Sequence, residues 1–163
     1  MKILDHQKIN QKIKRIAYEI FERNYDAKKL FLVGINNNGY AFASLLFEQL
    51  REICNFEVEL IRVKLSPANP LDQPITLSIP PEELDGQSVI FVDDVANSGR
   101  TLFYAMKPLF QVIPKRIDVA VLIERMHRTF PIQVDYVGLK LATTLLENIK
   151  VNLSGEDYIV ELQ

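Results

Sequence analysis

The chain of 163 residues has no tryptophan, one cysteine and six glycines. A lone cysteine, Cys54, forms no intramolecular disulfide and anchors no cysteine-rich metal site, so disulfide-stapled and zinc-ribbon scaffolds are excluded and a reducing compartment fits. A run of about 18 apolar residues, the length a spanning helix needs, occurs nowhere. The opening MKILDHQKIN lacks the apolar core of about 7–15 residues that marks a signal peptide. A cytoplasmic protein without membrane association is expected. Positive charge is not in excess either: 19 Lys and Arg against 21 Asp and Glu leave a net charge of -2, so a nucleic-acid role would need a local basic patch.

What is present is the composition of an ordinary globular chain, 48% hydrophobic and 25% charged, of a length that suits one buried core; a single domain over 1–163 is expected. Residues 7 to 24 place Ile9, Ile13, Ile16, Ala17, Ile20 and Phe21 on one helical face behind Asp5 as a cap. Lys8, Lys12 and Arg15 lie opposite, either a solvated face or an anion patch. LFLVGI, residues 30 to 35, reads as a buried strand ending in a loop, Asn36-Asn37-Asn38-Gly39, before a helix over 40 to 52. FEVELIRVKL, residues 56 to 65, alternates as a strand with one wet face does.

Between residues 66 and 86 stand five of the eight prolines. Proline fixes φ and removes a donor, which predicts a long exposed excursion with a short hairpin around Ile75-Thr76-Leu77. It is either a lid or an inert excursion. Strand and helix resume with SVIFVDD and GRTLFYAMKPLFQ, then a buried strand at 116 to 124 and short strands near 134–139, 147–153 and 157–162. The alternation predicts an α/β fold with a mainly parallel central sheet flanked by helices.

Chemistry concentrates where strands end, which is where open α/β sheets bind ligands. Two strand ends are built of unusual material: Asn36 to Gly39, and Asp93 through Thr101. In the second, Ser98-Gly99-Arg100-Thr101 opens a helix whose free N–H groups attract an anion. Gly99 allows close backbone approach, and Ser98 and Thr101 add hydroxyls. Asp93 and Asp94 are too negative to hold that phosphate; they suit vicinal sugar hydroxyls or a hydrated Mg²⁺. An isolated D-x-x-N-S-G reads as a helix cap worth about 1 kcal/mol. Preceded by a buried strand and paired with a second Gly-bounded loop, it reads as a ligand site.

VIFVDDVANSGRTL resembles the phosphoribosyl pyrophosphate signature of the type I phosphoribosyltransferases. KIKRIAYEIFERN, LFLVGINNNGYAFASLL and VAVLIERMHRTFPIQVDYVGL resemble, in order and spacing, the pyrimidine operon regulator and uracil phosphoribosyltransferase family. The resemblance implies that fold, with a small hood and with 66–86 as its flexible catalytic loop. It also implies transfer of phosphoribose from 5-phosphoribosyl 1-pyrophosphate to a nucleobase, uracil first, with Mg²⁺ as cofactor. Asp93 and Asp94 would hold the ribose hydroxyls and, through water, the metal. Val95, Ala96, Asn97, Ser98, Gly99, Arg100 and Thr101 would cradle the 5′-phosphate, and Asn36, Asn37, Asn38 and Gly39 would meet pyrophosphate. Tyr136 and Val137 would close the strand beside the base. A homodimer is implied, and nucleoside monophosphate as a ligand. The alternative function is a nucleotide-sensing, RNA-binding regulator with little or no catalysis.

Four departures matter. Asn97 stands where purine members often place a proton-accepting acid, which disfavours purines. Asn36-Asn37-Asn38 lacks the basic residue usual in the pyrophosphate loop, forfeiting a charge-assisted contact of about 1.5–3 kcal/mol. The Arg-Asp-Asp element expected after the second strand is absent from RVKLSPANP, leaving Arg62 and Lys64 as substitutes; GLKLATTLLENI replaces a more polar, basic segment near the nucleotide. A basic RNA face would draw on Lys8, Lys12, Arg15, Lys115, Arg116, Arg125, His127 and Arg128.

Overall fold

A computed structural model describes residues 1–144 and 146–163; Leu145, inside GLKLATTLLENI, lies outside the described residues. The elements run β1 (Lys2–Leu4), α1 (His6–Arg23), β2 (Lys29–Ile35), α2 (Asn36–Ile53), β3 (Glu57–Lys64), β4 (Thr76–Leu77), β5 (Ser88–Ala96), α3 (Arg100–Ala105), β6 (Arg116–Arg125), β7 (Tyr136–Leu141), β8 (Ile149–Asn152) and β9 (Ile159–Leu162). Six strands form the main sheet in the order β4-β3-β2-β5-β6-β7. Neighbours from β3 to β7 are parallel, and β4 closes the edge antiparallel.

The continuous apolar strands are explained by cover on both faces. Leu30 and Leu32 of β2, with Ile90 and Val92 of β5, pack under α1 and α2. Phe31 and Val33, with Val89 and Phe91, meet Leu84, α3 and Leu109 on the other side. A second, antiparallel sheet of order β1-β9-β8 forms the hood, and its Leu4 and Val160 join the α1/α2 side of the core. Helix α1 begins where its cap predicts: the Asp5 carboxylate accepts the Lys8 N–H at 2.9 Å.

Several expectations are corrected. Asn36 to Gly39 do not form a loop: β2 passes into α2 at Asn36, which takes φ 52, a left-handed conformation asparagine tolerates better than most residues. One residue thus makes the turn that four were expected to make. The excursion is exposed only over part of its length. Leu84 is fully buried under a 3-10 turn at Pro81–Leu84, while Thr76 and Leu77 pair with β3 as the hairpin reading predicts. The helix after Gly99 stops at Ala105, and a separate 3-10 turn, Lys107–Gln111, follows, since Pro108 supplies no N–H. Strand β1 was not foreseen; three residues carry no periodic signal. Among the described residues no helix is long and apolar enough to cross a membrane.

Candidate active site

Because β2 and β5 are parallel and in register from Leu30↔Ser88 to Gly34↔Val92, their carboxyl ends open side by side. Between them lies a cavity of about 470 Å³ lined by Asn36, Asn37 and Asn38 from one end and Asp93, Asp94, Val95, Asn97 and Thr101 from the other. A second compartment of about 240 Å³ adjoins it, walled by Ala96, Ser98, Gly99 and Arg100 and sharing Asp93, Asn97 and Thr101 with the first. Two stretches far apart in sequence therefore make one site.

Gly39 lies beneath this site. A Cβ there would stand 2.7 Å from the Val92 carbonyl oxygen and 3.1 Å from Asp93 Oδ1, so only glycine lets the first turn of α2 rest on the end of β5. The second compartment has its own glycine. Gly99 takes φ 87, and a Cβ would meet Arg128 Cδ at 3.0 Å. The turn is propped from below, where the Ser98 carbonyl accepts the N–H groups of Thr129 and Phe130 at 3.0 Å each. Its N–H groups at the start of α3 lack carbonyls one turn earlier in the helix, and Ser98 Oγ accepts the Arg100 N–H at 3.3 Å, leaving the hydroxyl proton free for an anion.

The acids are held by their own backbone: Asp93 Oδ1 accepts the Asp94 N–H at 2.9 Å and Asp94 Oδ1 accepts the Val95 N–H at 2.8 Å. No cation forms an ion pair with either among the described residues. Burial first, then the Asp94 charge, pushes the Asp93 carboxyl well above the usual range, against the pull of the Asp94 N–H. Such a pair is set for hydroxyl protons or a cation. Among the described residues no cluster of three metal-ligating side chains exists. The two carboxylates, each with one oxygen not taken by a backbone N–H, fit a Mg²⁺ that keeps most of its water and ligand oxygens.

The structure does not bring Tyr136 and Val137 into either cavity. Tyr136 is fully buried, its hydroxyl donates to Asp118 Oδ2 at 3.1 Å, and burial, then the Asp118 charge, lifts that phenol to about 12. The Val137 carbonyl accepts from Arg15 Nη2 at 2.9 Å.

Two wall residues, Pro67 and Ile149, were not among the expected site residues, and Arg125 and His127, read in the sequence only as candidates for a basic face, brace the site from behind. Pro67 lines both compartments, and its carbonyl accepts from Arg100 Nη2 at 2.7 Å. Ile149 of β8 closes the larger cavity. Arg125, 7% exposed, donates from Nε to Thr143 Oγ1 at 2.7 Å, from Nη2 to the Thr144 carbonyl at 2.6 Å and from Nη1 to Asn97 Oδ1 at 3.2 Å. Its place at the end of β6, the strand beside β5, was the available signal. His127 Nε2 donates to the Thr143 carbonyl at 2.6 Å. Of the other basic candidates, Arg15 pairs with Glu19, Arg116 with Asp118 and Arg128 with Glu124.

Comparison with known proteins follows the same lines. The family model described as "Phosphoribosyl transferase domain" matches residues 1–155. "Bifunctional protein PyrR" of Halalkalibacterium halodurans is 37% identical over 169 residues, covering 98% of this chain and 94% of the relative. The protein of that name from Bacillus subtilis is 36% identical over 164 residues, covering 95% and 91%. Among solved structures, the hypoxanthine phosphoribosyltransferase of Trypanosoma cruzi superposes with a TM-score of 0.76 at 20% identity, over 98% of this chain and 94% of the other. A hypoxanthine-guanine phosphoribosyltransferase of Bacillus anthracis gives 0.72 at 19%, over 86% and 82%. With its phosphate turn, acidic pair and parallel sheet in place, the chain belongs to the type I phosphoribosyltransferase family, on the PyrR-like branch.

Proposed function

We propose that this protein binds 5-phosphoribosyl 1-pyrophosphate and transfers its phosphoribosyl group to a nucleobase, with uracil as the leading acceptor. The observation that carries the reading is the Asp93–Asp94 couple, without an ion-pairing cation among the described residues, set between two joined compartments. The 5′-phosphate would sit on Ser98, Gly99 and Thr101, the ribose hydroxyls on the two carboxylates, and the pyrophosphate against Asn36, Asn37 and Asn38. In the reaction the bond from the anomeric carbon to pyrophosphate breaks, the bond to the base nitrogen forms, and the base proton leaves to solvent. The oxocarbenium-like transition state needs neutralised leaving-group charge and exclusion of water, and no protein nucleophile. Negative charge at Asp93 and Asp94 favours the developing positive ring, while residues 66–86, rooted at Pro67, can cover it. Mg²⁺, held through water by Asp93 and Asp94, would supply charge neutralisation on the donor's oxygens. A cytoplasmic homodimer belongs to the same reading.

A second reading is favoured by the Asn36-Asn37-Asn38 turn, which offers pyrophosphate no cation. Donor and nucleotide binding would then persist with little turnover, as in a sensor that acts on RNA. Against it, five of the eight basic candidates, Arg15, Arg116, Arg125, His127 and Arg128, are engaged within the protein.

The deciding experiment is calorimetry with donor and Mg²⁺ alongside a radiolabelled base panel. Donor binding that Asp93→Asn with Asp94→Asn reduces at least about 30-fold is expected, from loss of two charge-assisted contacts. Absence of any donor binding would overturn the reading. Donor binding without transfer to any base, together with salt-sensitive RNA binding, would favour the sensor.

A further inference from the structure

Resting on that reading of the site, we propose that Arg125 is a positioning residue that fixes the Asn97 amide with only its NH₂ group toward the cavity, making Asn97 a donor-only reader of the acceptor base. The two ends of an asparagine amide are chemically opposite, since the oxygen accepts and the nitrogen donates, and the neighbours decide which end faces where. Here one neighbour decides it. A guanidinium has donors and no acceptor, so the Asn97 atom that Arg125 Nη1 meets at 3.2 Å is the oxygen. Arg125 cannot swing aside to release it, being nearly fully buried and tied by its other nitrogens to Thr143 and Thr144.

Asn97 itself is exposed and lines both compartments. No acceptor for its Nδ2 is found among the described residues. What it offers a ligand is therefore a pair of N–H donors. Beside it stands Asp94, an acceptor when ionised, so the two side chains of this short stretch present opposite hydrogen-bonding characters to the ligand. The ligand group facing Asn97 must carry a lone pair, a ring carbonyl oxygen or an unprotonated ring nitrogen. An amino group or ring N–H in that place would leave two donors opposed and unsatisfied, a costly arrangement in a confined site.

The test compares UMP with ribose 5-phosphate by calorimetry at fixed Mg²⁺; the ratio of the ribose 5-phosphate dissociation constant to that of UMP isolates the contribution of the base from that of the phosphate and ribose. Asn97→Ala should lower the ratio about 5–10-fold, the loss of one hydrogen bond in a confined site. Asn97→Asp, isosteric but placing an acceptor against a lone pair, should lower it further than alanine does. Arg125→Met, which frees the amide to rotate, should lower the ratio and leave ribose 5-phosphate affinity within about twofold, whereas Arg125→Lys, still donor-only, should retain most of it. Thermal denaturation reports whether the Arg125 variants fold; the Asn97 pair, at an exposed side chain, decides the matter alone if they do not. An Asn97→Asp protein that keeps the ratio above that of Asn97→Ala overturns the inference, as does a wild-type ratio of one. In both cases donor binding leaves the function reading standing. Should neither ribose 5-phosphate nor the pyrophosphate donor bind, that reading falls and this inference with it.

Discussion

Asp93 is buried in the carboxyl-terminal half of β5 with no ion-pairing cation among the described residues, and its raised carboxyl value fixes the sign of a pH effect. A carboxyl that binds its proton more tightly when folded contributes stability that is fully present below its unfolded value, near 3.8, and lost as pH rises through the folded value. The unliganded protein should therefore lose stability upward from about pH 4, and Asp93→Asn should raise Tm by a few degrees near pH 7 with the gain shrinking on acidification. Thermal scans across pH check it; an Asn variant less stable at neutral pH would contradict it. Gly39→Ala should cost about 1–3 kcal/mol in urea denaturation and weaken donor binding, because the new methyl would enter the space of the Val92 carbonyl and Asp93. At this scale the acidic pair and the phosphate turn were legible, since their chemistry is contiguous in DDVANSGRT. The link of that stretch to Arg125 was not: the partners of that side chain, Asn97 and the Thr143-Thr144 pair, come from two segments distant in sequence, and an arginine among other basic residues reads as surface charge.

The excursion at 66–86 shows what one element owes to others. Its entry is pinned twice, by the Leu65 N–H donating to Asn36 Oδ1 at 3.0 Å and by Arg100 reaching the Pro67 carbonyl, and its exit is pinned by buried Leu84. Between them Ala68, Asn69 and residues 71–74 are exposed. Arg100→Ala should therefore raise proteolytic nicking within 68–74 several-fold without moving Tm beyond about 2 °C, roughly the effect of half a kcal/mol or less in a protein of this size, and donor should restore protection. Unchanged nicking would mean that Arg100 does not tether the segment. The strands β2, β3, β5 and β6 were readable because each is a bounded apolar or alternating run. The start of α2 was not, since four polar residues with glycine signal a loop by composition, and a single left-handed residue at Asn36 overrides that signal.

Across the whole molecule, the α/β architecture followed from the order of elements, and the resemblance implied a hood whose β8 and β9 were read as short strands, but its third strand was not legible, because β1 finds its partner nearly the full chain length away. Lys2 pairs with Glu161 and Leu4 with Val160, and Ile149 to Asn152 pair with Leu162 to Ile159. That small sheet is also the mount of Ile149 in the cavity wall. Deleting residues 159–163 should release β1 and β8 together, seen as fast hydrogen exchange in both, and should weaken UMP more than ribose 5-phosphate.

The same pairing sets an order of events during synthesis. The β2, α2, β3 and β5 framework can assemble while the chain is still being made, since its neighbours lie close in sequence. The hood waits for residues 159–162, and the Ile149 wall waits with it. A nascent chain can thus carry a finished phosphate turn long before its pocket has a wall, and nucleotide added during translation should rescue only chains that have cleared the last strand.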